Sequence, residues 1–267
     1  MNHLLNSVSS DALIAMRASQ PSVRLGLILP LGAVEQHGAF LPVTCDADIA
    51  IGASASLAQA VSSTGTYRAF AAPAIPYGPV PGADRTAGTS SVGFSELGAY
   101  LLAVTSGFAA TGTWDFLVIV NAHAHNHGRA IEASSLTFGR HRVPVLVLHV
   151  YEFMRVCEGL DLVPGSHGGE FEIALHHYYA RQAPFGGHPS ATPAPRPRPA
   201  SIYGLDLMPR SFGGIVAPTV PIVDRAIAHA ETIGARMDSA LSQRALADLD
   251  AYFAHWHRPD DVRESRA

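Results

Sequence analysis

Short apolar runs separated by longer alanine-rich segments are the feature that most limits how this chain of 267 residues can fold. The runs are almost continuously apolar, which is typical of strands in a parallel sheet that helices cover on both faces. We expect these strands at Leu25–Leu29, Tyr67–Ala71, Phe116–Val120 and Val145–Val150. Because strands that alternate with helical segments form βαβ units, the pattern predicts an α/β fold around a mostly parallel sheet.

The segments between and after the strands predict helices. We place these at about Asp46–Val61, Phe94–Ala110, Asn126–Phe138, Glu170–Ala180 and Val223–Gln243. One proline-rich stretch, residues 183–200, predicts a loop inserted before a final strand and helix. The length suits one large domain, so we treat residues 1–267 as a single domain with this insertion.

Charge and composition exclude several functions. The net charge is −4 and the isoelectric point is about 6.4, whereas nucleic-acid binding depends on clustered basic residues. All 18 basic residues are arginine. Because the chain has no lysine, it cannot use Schiff-base, pyridoxal-lysine or P-loop lysine chemistry. Because the net charge is negative, we expect no nucleic-acid partner.

The cysteines and the amino terminus predict a cytoplasmic protein. Cys45 and Cys157 form neither a disulfide framework of the secreted kind nor a CxxC pair. The first residues lack the basic start and long apolar core of a signal peptide. The sequence has no run of 18 or more apolar residues, the length that crosses a bilayer, so we expect no membrane association.

Polar residues cluster after three of the predicted strands. The clusters contain, in chain order, Glu35, His37 and Asp46; His123, His125 and His127; and His167, Glu170 and Glu172. Ligands of open α/β sheets bind beyond the carboxyl ends of the strands, where these loops lie. Each cluster alone has an ordinary structural interpretation, as a polar loop, as end caps or as acids at a helix start. Their convergence on one edge favours a functional site.

Imidazoles combined with carboxylates are ligands that suit Zn²⁺, Mn²⁺ or Fe²⁺ better than Mg²⁺ or Ca²⁺. The spacing of Glu35 and His37 can direct both side chains at neighbouring metals, and Asp46 can bridge two cations. Two ions ~3.5–4 Å apart polarise a carbonyl and supply a bridging hydroxide at neutral pH. The residue types therefore predict hydrolysis of an amide or a related C–N bond.

Four motifs resemble those of the creatininase family and occur in the same order. They read LPLGAVEQHGAFLPVTCDADIA, IVNAHAHNHG, SHGGEFEIAL and GGIVAPT. The resemblance extends from about residue 25 to residue 235, and the first motif is long and specific. It implies a three-layer α/β/α sandwich, a binuclear metal centre and a homo-oligomer, commonly a hexamer.

The resemblance also implies a role for individual residues. Glu35 and His123 correspond to ligands of one metal, His37 to a ligand of the other, and Asp46 to the bridge. In most members the second site is completed at the position of Glu170, which we expect to act in catalysis as well. In creatininase itself, the residue two positions after the second-cluster histidine has this role, which leaves His125 as an alternative ligand or a substrate contact.

His167 matches the catalytic histidine of the family, which donates a proton to the departing nitrogen or orients the tetrahedral intermediate. The chain also departs from the family pattern around the substrate. Ala39-Phe40 replaces a usual Pro-His pair, and Gly82-Ala83 replaces a Glu-His pair in the segment Tyr77–Val92. We therefore expect Phe40 and Tyr77, together with His125, to contact a substrate that differs from creatinine.

These features predict a divalent-metal-dependent amidohydrolase that cleaves an amide, cyclic amide or formamide bond of a small molecule through a metal-bridging hydroxide. Deformylation of a formamidopyrimidine-type substrate, or a specialised biosynthetic amide cleavage, fits better than creatinine hydrolysis. A peptidase resembling the mycofactocin maturation enzyme is one alternative. A non-catalytic protein that uses the metals for stability or assembly is another.

Overall fold

The computed structural model describes residues 3–38, 40–83, 86–162, 167–179 and 220–255. The proline-rich loop predicted at 183–200 and the strand predicted after it lie outside these ranges. The GGIVAPT motif lies outside them as well. The single domain over residues 1–267 therefore stays a prediction.

Strands and helices alternate along the described residues. The strands are β1 (Arg24–Leu31), β2 (Tyr67–Ala71), β3 (Phe116–Asn121) and β4 (Val145–His149). The α-helices are α1 (Ser10–Ser19), α2 (Cys45–Ser62), α3 (Phe94–Ala110), α4 (His127–His141), α5 (Glu170–Tyr179), α6 (Val220–Ala228) and α7 (Ala230–His255). None of the helices within the described ranges is long and apolar enough to cross a membrane.

The last predicted helix, Val223–Gln243, is divided into two in the structure. The backbone N–H of His229 donates to the carbonyl of Ala226, three residues earlier, at 3.2 Å. This is the hydrogen bond of a 3-10 turn, which is common at the end of an α-helix. The carbonyl of His229 then accepts the N–H of Ile233 at 2.9 Å and begins the next helix. α6 and α7 are therefore separate elements.

All four strands are parallel and lie in the order β2-β1-β3-β4. This order confirms the predicted parallel sheet. The chain runs from β1 outward to β2 and then returns to place β3 on the other side of β1. In such a sheet, the gap beyond the carboxyl ends of the two strands at the reversal is the preferred site for a ligand. Leu31 and Asn121 are register partners at this point.

Alternate residues of the strands pack into two hydrophobic layers. Leu27 of β1 and Ile119 of β3 face one layer, which contains residues of α3 and α4. Ile28 and Val118 face the opposite layer, which contains residues of α2, α5, α6 and α7. Helices thus cover both faces of the sheet, and the predicted three-layer α/β/α sandwich is confirmed.

Gly26 of β1 lies directly beside Phe116 of β3, its register partner. A Cβ atom at this position would overlap the Phe116 ring, which is fully buried. We expect Gly26→Ala to lower the free energy of unfolding by about 1–3 kcal/mol, as overpacking of a core does. Denaturant titration measures this. Gly107→Ala, in an open position of α3, is the control and should raise stability by about 0.5–1 kcal/mol. Equal effects at both glycines would contradict this close packing.

Candidate metal centre

The loop after β1 brings Glu35 and His37 to the edge of the sheet. Two backbone hydrogen bonds fix it: the N–H of Glu35 donates to the carbonyl of Val43 at 2.8 Å, and that of Gln36 donates to Thr89 Oγ1 at 3.0 Å. Gly38 then turns the chain with a φ of 79°, a conformation that glycine adopts without steric cost. The side chains of Glu35 and His37 are both buried.

Asp46 lies in the first turn of α2, where the helix dipole stabilises a negative charge. It is only 1% exposed. Gly32, just after β1, packs against the backbone of Ala47, so that the loop after β1 lies directly on the start of α2. Asn126 Nδ2 donates to the carbonyl of Gly32 at 2.9 Å and joins the loop after β3 to the same place.

His123 follows β3, and its backbone and ring are both held. Asn121 brackets the backbone, because its Nδ2 donates to the His123 carbonyl at 2.9 Å and its Oδ1 accepts the His123 N–H at 3.1 Å. The ring Nε2 lies 2.8 Å from the carbonyl of Pro79. A carbonyl only accepts, so Nε2 carries the proton and Nδ1 is the free ring nitrogen.

At the start of α5, Glu170 and Glu172 point in different directions. Two residues are separated by about 200° around an α-helix, so the two side chains cannot share a face. Glu172 Oε2 lies 3.8 Å from His37 Nε2, within the polar cluster. Glu170 instead accepts the Nε–H of Arg225, on α6, at 2.7 Å. In the structure it is therefore Glu172, and not the predicted Glu170, that lies beside His37 and Asp46.

Asp46 lies between the two buried histidines. Its Oδ1 is 3.2 Å from His37 Nε2, and its Oδ2 is 2.9 Å from His123 Nδ1. Glu35 Oε2 lies 3.4 Å from His123 Nδ1. Candidate ligand atoms among the described residues form three groups. Two of them, which we call the ligand groups, share Asp46: Glu35, Asp46 and His123, and His37, Asp46 and Glu172. The third contains Glu35, His37 and His167. Within each group the atoms lie within 4.8 Å of one another.

Hydrogen bonds fix the proton of each neutral histidine on the side away from Asp46. His37 Nδ1 donates to the carbonyl of Glu35 at 2.8 Å, just as His123 Nε2 donates to Pro79. The other nitrogen of each ring then directs a lone pair at a carboxylate oxygen. Two acceptors in contact repel each other unless a positive charge lies between them. Either a second proton on each ring or a metal cation satisfies this arrangement.

The pKa values show how strongly the cluster favours positive charge. Burial alone lowers the pKa of His37, but the negative charges of Asp46 and Glu172 outweigh it and raise this pKa to about 10. Against a similar burial effect, hydrogen bonding to Asp46 raises the pKa of His123. Burial favours the neutral acid at Asp46, yet the two histidines hold its pKa below the usual range. The pKa of Glu35 is raised, chiefly by burial.

The donor set fits divalent cations. Three buried carboxylates, of Glu35, Asp46 and Glu172, converge here, and buried charges are costly unless opposite charges compensate them. Each of the two ligand groups that share Asp46 contributes one imidazole nitrogen and two carboxylates, a combination that suits zinc, manganese or iron. Asp46 presents a separate oxygen to each group, as a carboxylate that bridges two ions does.

His167 lies at the open edge of the cluster. Its Nε2 donates to the carbonyl of Gln36 at 2.6 Å and lies 3.6 Å from Glu35 Oε1. Its ring contacts that of His37, with 4.3 Å between the centroids. The side chain is 22% exposed, whereas that of His37 is fully buried, so His167 is the histidine of this pair that solvent or a substrate can reach.

The three residues predicted to contact the substrate lie in three different environments. His125 lies beside His123, with ring centroids 5.3 Å apart, and burial lowers its pKa to about 4, with the charge of His123 acting in the same direction. Its Nδ1 is buried and has no hydrogen-bond partner in the described part of the chain. Tyr77 is 49% exposed. Phe40 packs, half-buried, against the hydrophobic layer that contains α2 and α5.

Residues outside the predicted site support it. Sequence reasoning did not assign a role to the Pro79 carbonyl, to the bracket formed by Asn121 or to Tyr151, which donates a hydrogen bond to Glu172 Oε1. Every residue has a backbone carbonyl, so the role of the Pro79 carbonyl cannot be predicted from residue type. The position of Asn121, at the end of a strand and two residues before His123, is the signal in the sequence that could have indicated such a bracket.

Comparisons with known proteins show the family of this chain. The creatininase family model, described as creatinine amidohydrolase, matches residues 17–198. The mycofactocin precursor peptide peptidase of Mycobacterium tuberculosis (strain CDC 1551 / Oshkosh) is 35% identical over 134 residues. This match covers 46% of the chain and 49% of the relative, so the chain spans about half the length of that curated protein.

Solved structures of creatininase share the fold. A mutant creatininase of a Zn–Zn type superposes with a TM-score of 0.66 at 21% identity, over 91% of this chain and 98% of the other. A creatininase designated Mn gives a TM-score of 0.64 at 20% identity, over 91% and 99% of the two chains. Because the family model covers more than half of its residues, the chain belongs to the creatininase family, of which it is a divergent member.

Proposed function

We propose that this chain is a divalent-metal-dependent amidohydrolase that cleaves a C–N bond in an amide, cyclic amide or formamide of a small molecule. Family membership supports a metal-dependent hydrolase. The proposal adds the reaction, the number of metals and the residues that hold them.

One observation carries this proposal: Asp46 lies between two histidines whose distal nitrogens are bound to backbone carbonyls. We assign Glu35, Asp46 and His123 to one cation, and His37, Asp46 and Glu172 to the other. In the neutral rings, hydrogen bonds to the carbonyls of Glu35 and Pro79 place the proton on the distal nitrogen and leave the ligating nitrogen free. The histidines are thus prepared to bind metal in their neutral form.

When bound, the two cations would polarise the substrate carbonyl and lower the pKa of a water molecule into the physiological range. The protein supplies the remaining chemistry. We assign to His167, at the exposed edge of the cluster, the role of the general acid that protonates the departing nitrogen. Because His167 Nε2 already donates a hydrogen bond to the carbonyl of Gln36, its ring is oriented before a substrate binds.

Substrate recognition falls to residues beside the ligands. The ring of His125 lies beside that of His123, with 5.3 Å between the centroids, and Phe94 contacts the His125 ring edge-on at 6.4 Å. Tyr77 precedes Gly78, whose backbone packs against Asn126, and Pro79, whose carbonyl holds His123. We therefore place Tyr77 and His125 at one side of the substrate site.

Peptide cleavage is the second candidate, because the curated relative is described as a mycofactocin precursor peptide peptidase. The same metal cluster would serve both reactions. The two candidates differ only in what binds next to His125 and Tyr77, and a substrate panel separates them.

The test is release of ammonia, amine or formate from cyclic amides, formamides and short peptides by protein loaded with Mn²⁺, Zn²⁺ or Fe²⁺. We expect turnover that a chelator removes and added metal restores. In His167→Gln, we expect both metals to remain bound and kcat to fall by about 10²–10⁴, the usual contribution of general acid–base catalysis. Metal analysis and steady-state kinetics measure the two effects.

Three other outcomes of this experiment would favour the second candidate or contradict a part of the proposal. Turnover of peptides alone would favour the peptidase. If the loaded protein cleaves nothing while the metals raise its melting temperature, the site is structural and the amidohydrolase proposal fails. Full activity in His167→Gln would remove His167 from the reaction.

A further inference from the structure

Tyr151 reaches the candidate metal centre from the segment that follows the carboxyl end of β4. It lies in the 3-10 segment Val150–Cys157, which begins immediately after β4 ends at His149. Its hydroxyl donates a hydrogen bond to Glu172 Oε1. The other oxygen of this carboxylate, Oε2, faces His37 Nε2 and also accepts the backbone N–H of Gly168 at 2.5 Å.

Packing holds the phenol ring in this position. The ring lies 5.8 Å from that of Phe171 and 5.3 Å from that of His149, between centroids. His149 is itself fixed, because its Nδ1 lies 3.1 Å from the carbonyl oxygen of Asn121. The hydroxyl is therefore presented to Glu172 by a ring with little freedom to move.

We propose that Tyr151 is a positioning residue that orients the Glu172 carboxylate so that Oε2 faces His37 and Asp46. This inference rests on the proposed function, in which Glu172 is a metal ligand. A glutamate has several rotatable bonds, and its carboxylate turns freely unless both oxygens are held. With Oε1 bound by Tyr151, only Oε2 remains directed at the ligands of the second cation.

Residues that support metal ligands commonly change metal affinity by about 10–100-fold when they are lost. Tyr151→Phe removes only the hydroxyl and keeps the ring that packs on Phe171 and His149. Tyr178→Phe is the matched control. It removes a phenol hydroxyl that donates to a carboxylate oxygen, Asp238 Oδ2, at 2.9 Å, between α5 and α7 and apart from the ligand groups.

The experiment strips each full-length protein of metal and titrates it with Mn²⁺ and with Zn²⁺ against a chromophoric chelator. We expect wild type and Tyr178→Phe to bind two equivalents with the same affinities. For Tyr151→Phe, we expect one equivalent to bind about 10–100-fold more weakly and the other to be unchanged. In the Glu172→Gln background, Tyr151→Phe should cause no further loss, since the two residues act as a unit.

Melting temperatures of the metal-free proteins separate positioning from stability. If Tyr151→Phe binds both equivalents as tightly as wild type, or lowers only the metal-free melting temperature, Tyr151 is structural and the inference is overturned. A further loss of affinity in the Glu172→Gln background would overturn it as well. If wild type binds no metal, the proposed function fails first, and that result is distinct from the other two.

Discussion

Asp46→Asn should abolish binding of both metal ions and, with it, hydrolysis. Asp46 contributes one oxygen to each ligand group, so neither group keeps its three donors in the variant. We expect kcat/KM to fall by about 10³-fold or more, because metal ions contribute several kcal/mol of transition-state stabilisation. Metal analysis after gel filtration, together with kinetics on any substrate found, measures both losses.

Asp48→Asn is the matched control for this variant. Asp48 is the other acid in the first turn of α2, where it accepts a hydrogen bond from Thr44 Oγ1 at 2.8 Å, and it is in neither ligand group. We expect it to keep both metals. Loss of only one metal in Asp46→Asn would show that Asp46 does not bridge, and equal losses in both variants would point to a general effect on α2.

Glu172→Gln should release one of the two metals, whereas Glu170→Gln should keep both. Only Glu172 approaches His37 and Asp46, so its charge belongs to the second ligand group. Glu170 binds Arg225, and its loss should lower the melting temperature without changing the metal content. Metal stoichiometry and thermal unfolding of the two variants measure these opposite effects.

The same pair of variants distinguishes the two glutamates as the family motif alone cannot. A loss of metal in Glu170→Gln, with full content in Glu172→Gln, would restore the assignment that the sequence favoured and contradict the geometry. Loss in both variants would indicate that the start of α5 is disturbed as a whole.

Much of the fold follows from local sequence patterns. The apolar runs predicted β1 to β4 to within two residues at each end, because buried parallel strands have no polar face to interrupt them. The helix predicted at Val223–Gln243 was less accurate, since the structure has two helices here that are divided at His229. Residues 225–233, around His229, include no proline or glycine that would predict this division.

The site was predictable where several strand ends meet. Glu35, His37, Asp46 and His123 come together because the loops after β1 and β3 lie side by side at the reversal of strand order. Which of Glu170 and Glu172 faces the cluster depends on the rotation of α5 about its axis, and the two glutamates contact Arg225 and Tyr151, which lie in distant parts of the chain. Such contacts are not visible in a local motif.

The central claim is that two cations share Asp46, and anomalous X-ray scattering from crystals grown with Mn²⁺ or Zn²⁺ tests it most directly. We expect two peaks in each chain, one among Glu35, Asp46 and His123 and the other among His37, Asp46 and Glu172. A single peak, a peak beside Glu170, or ions that make no contact with Asp46 would contradict it.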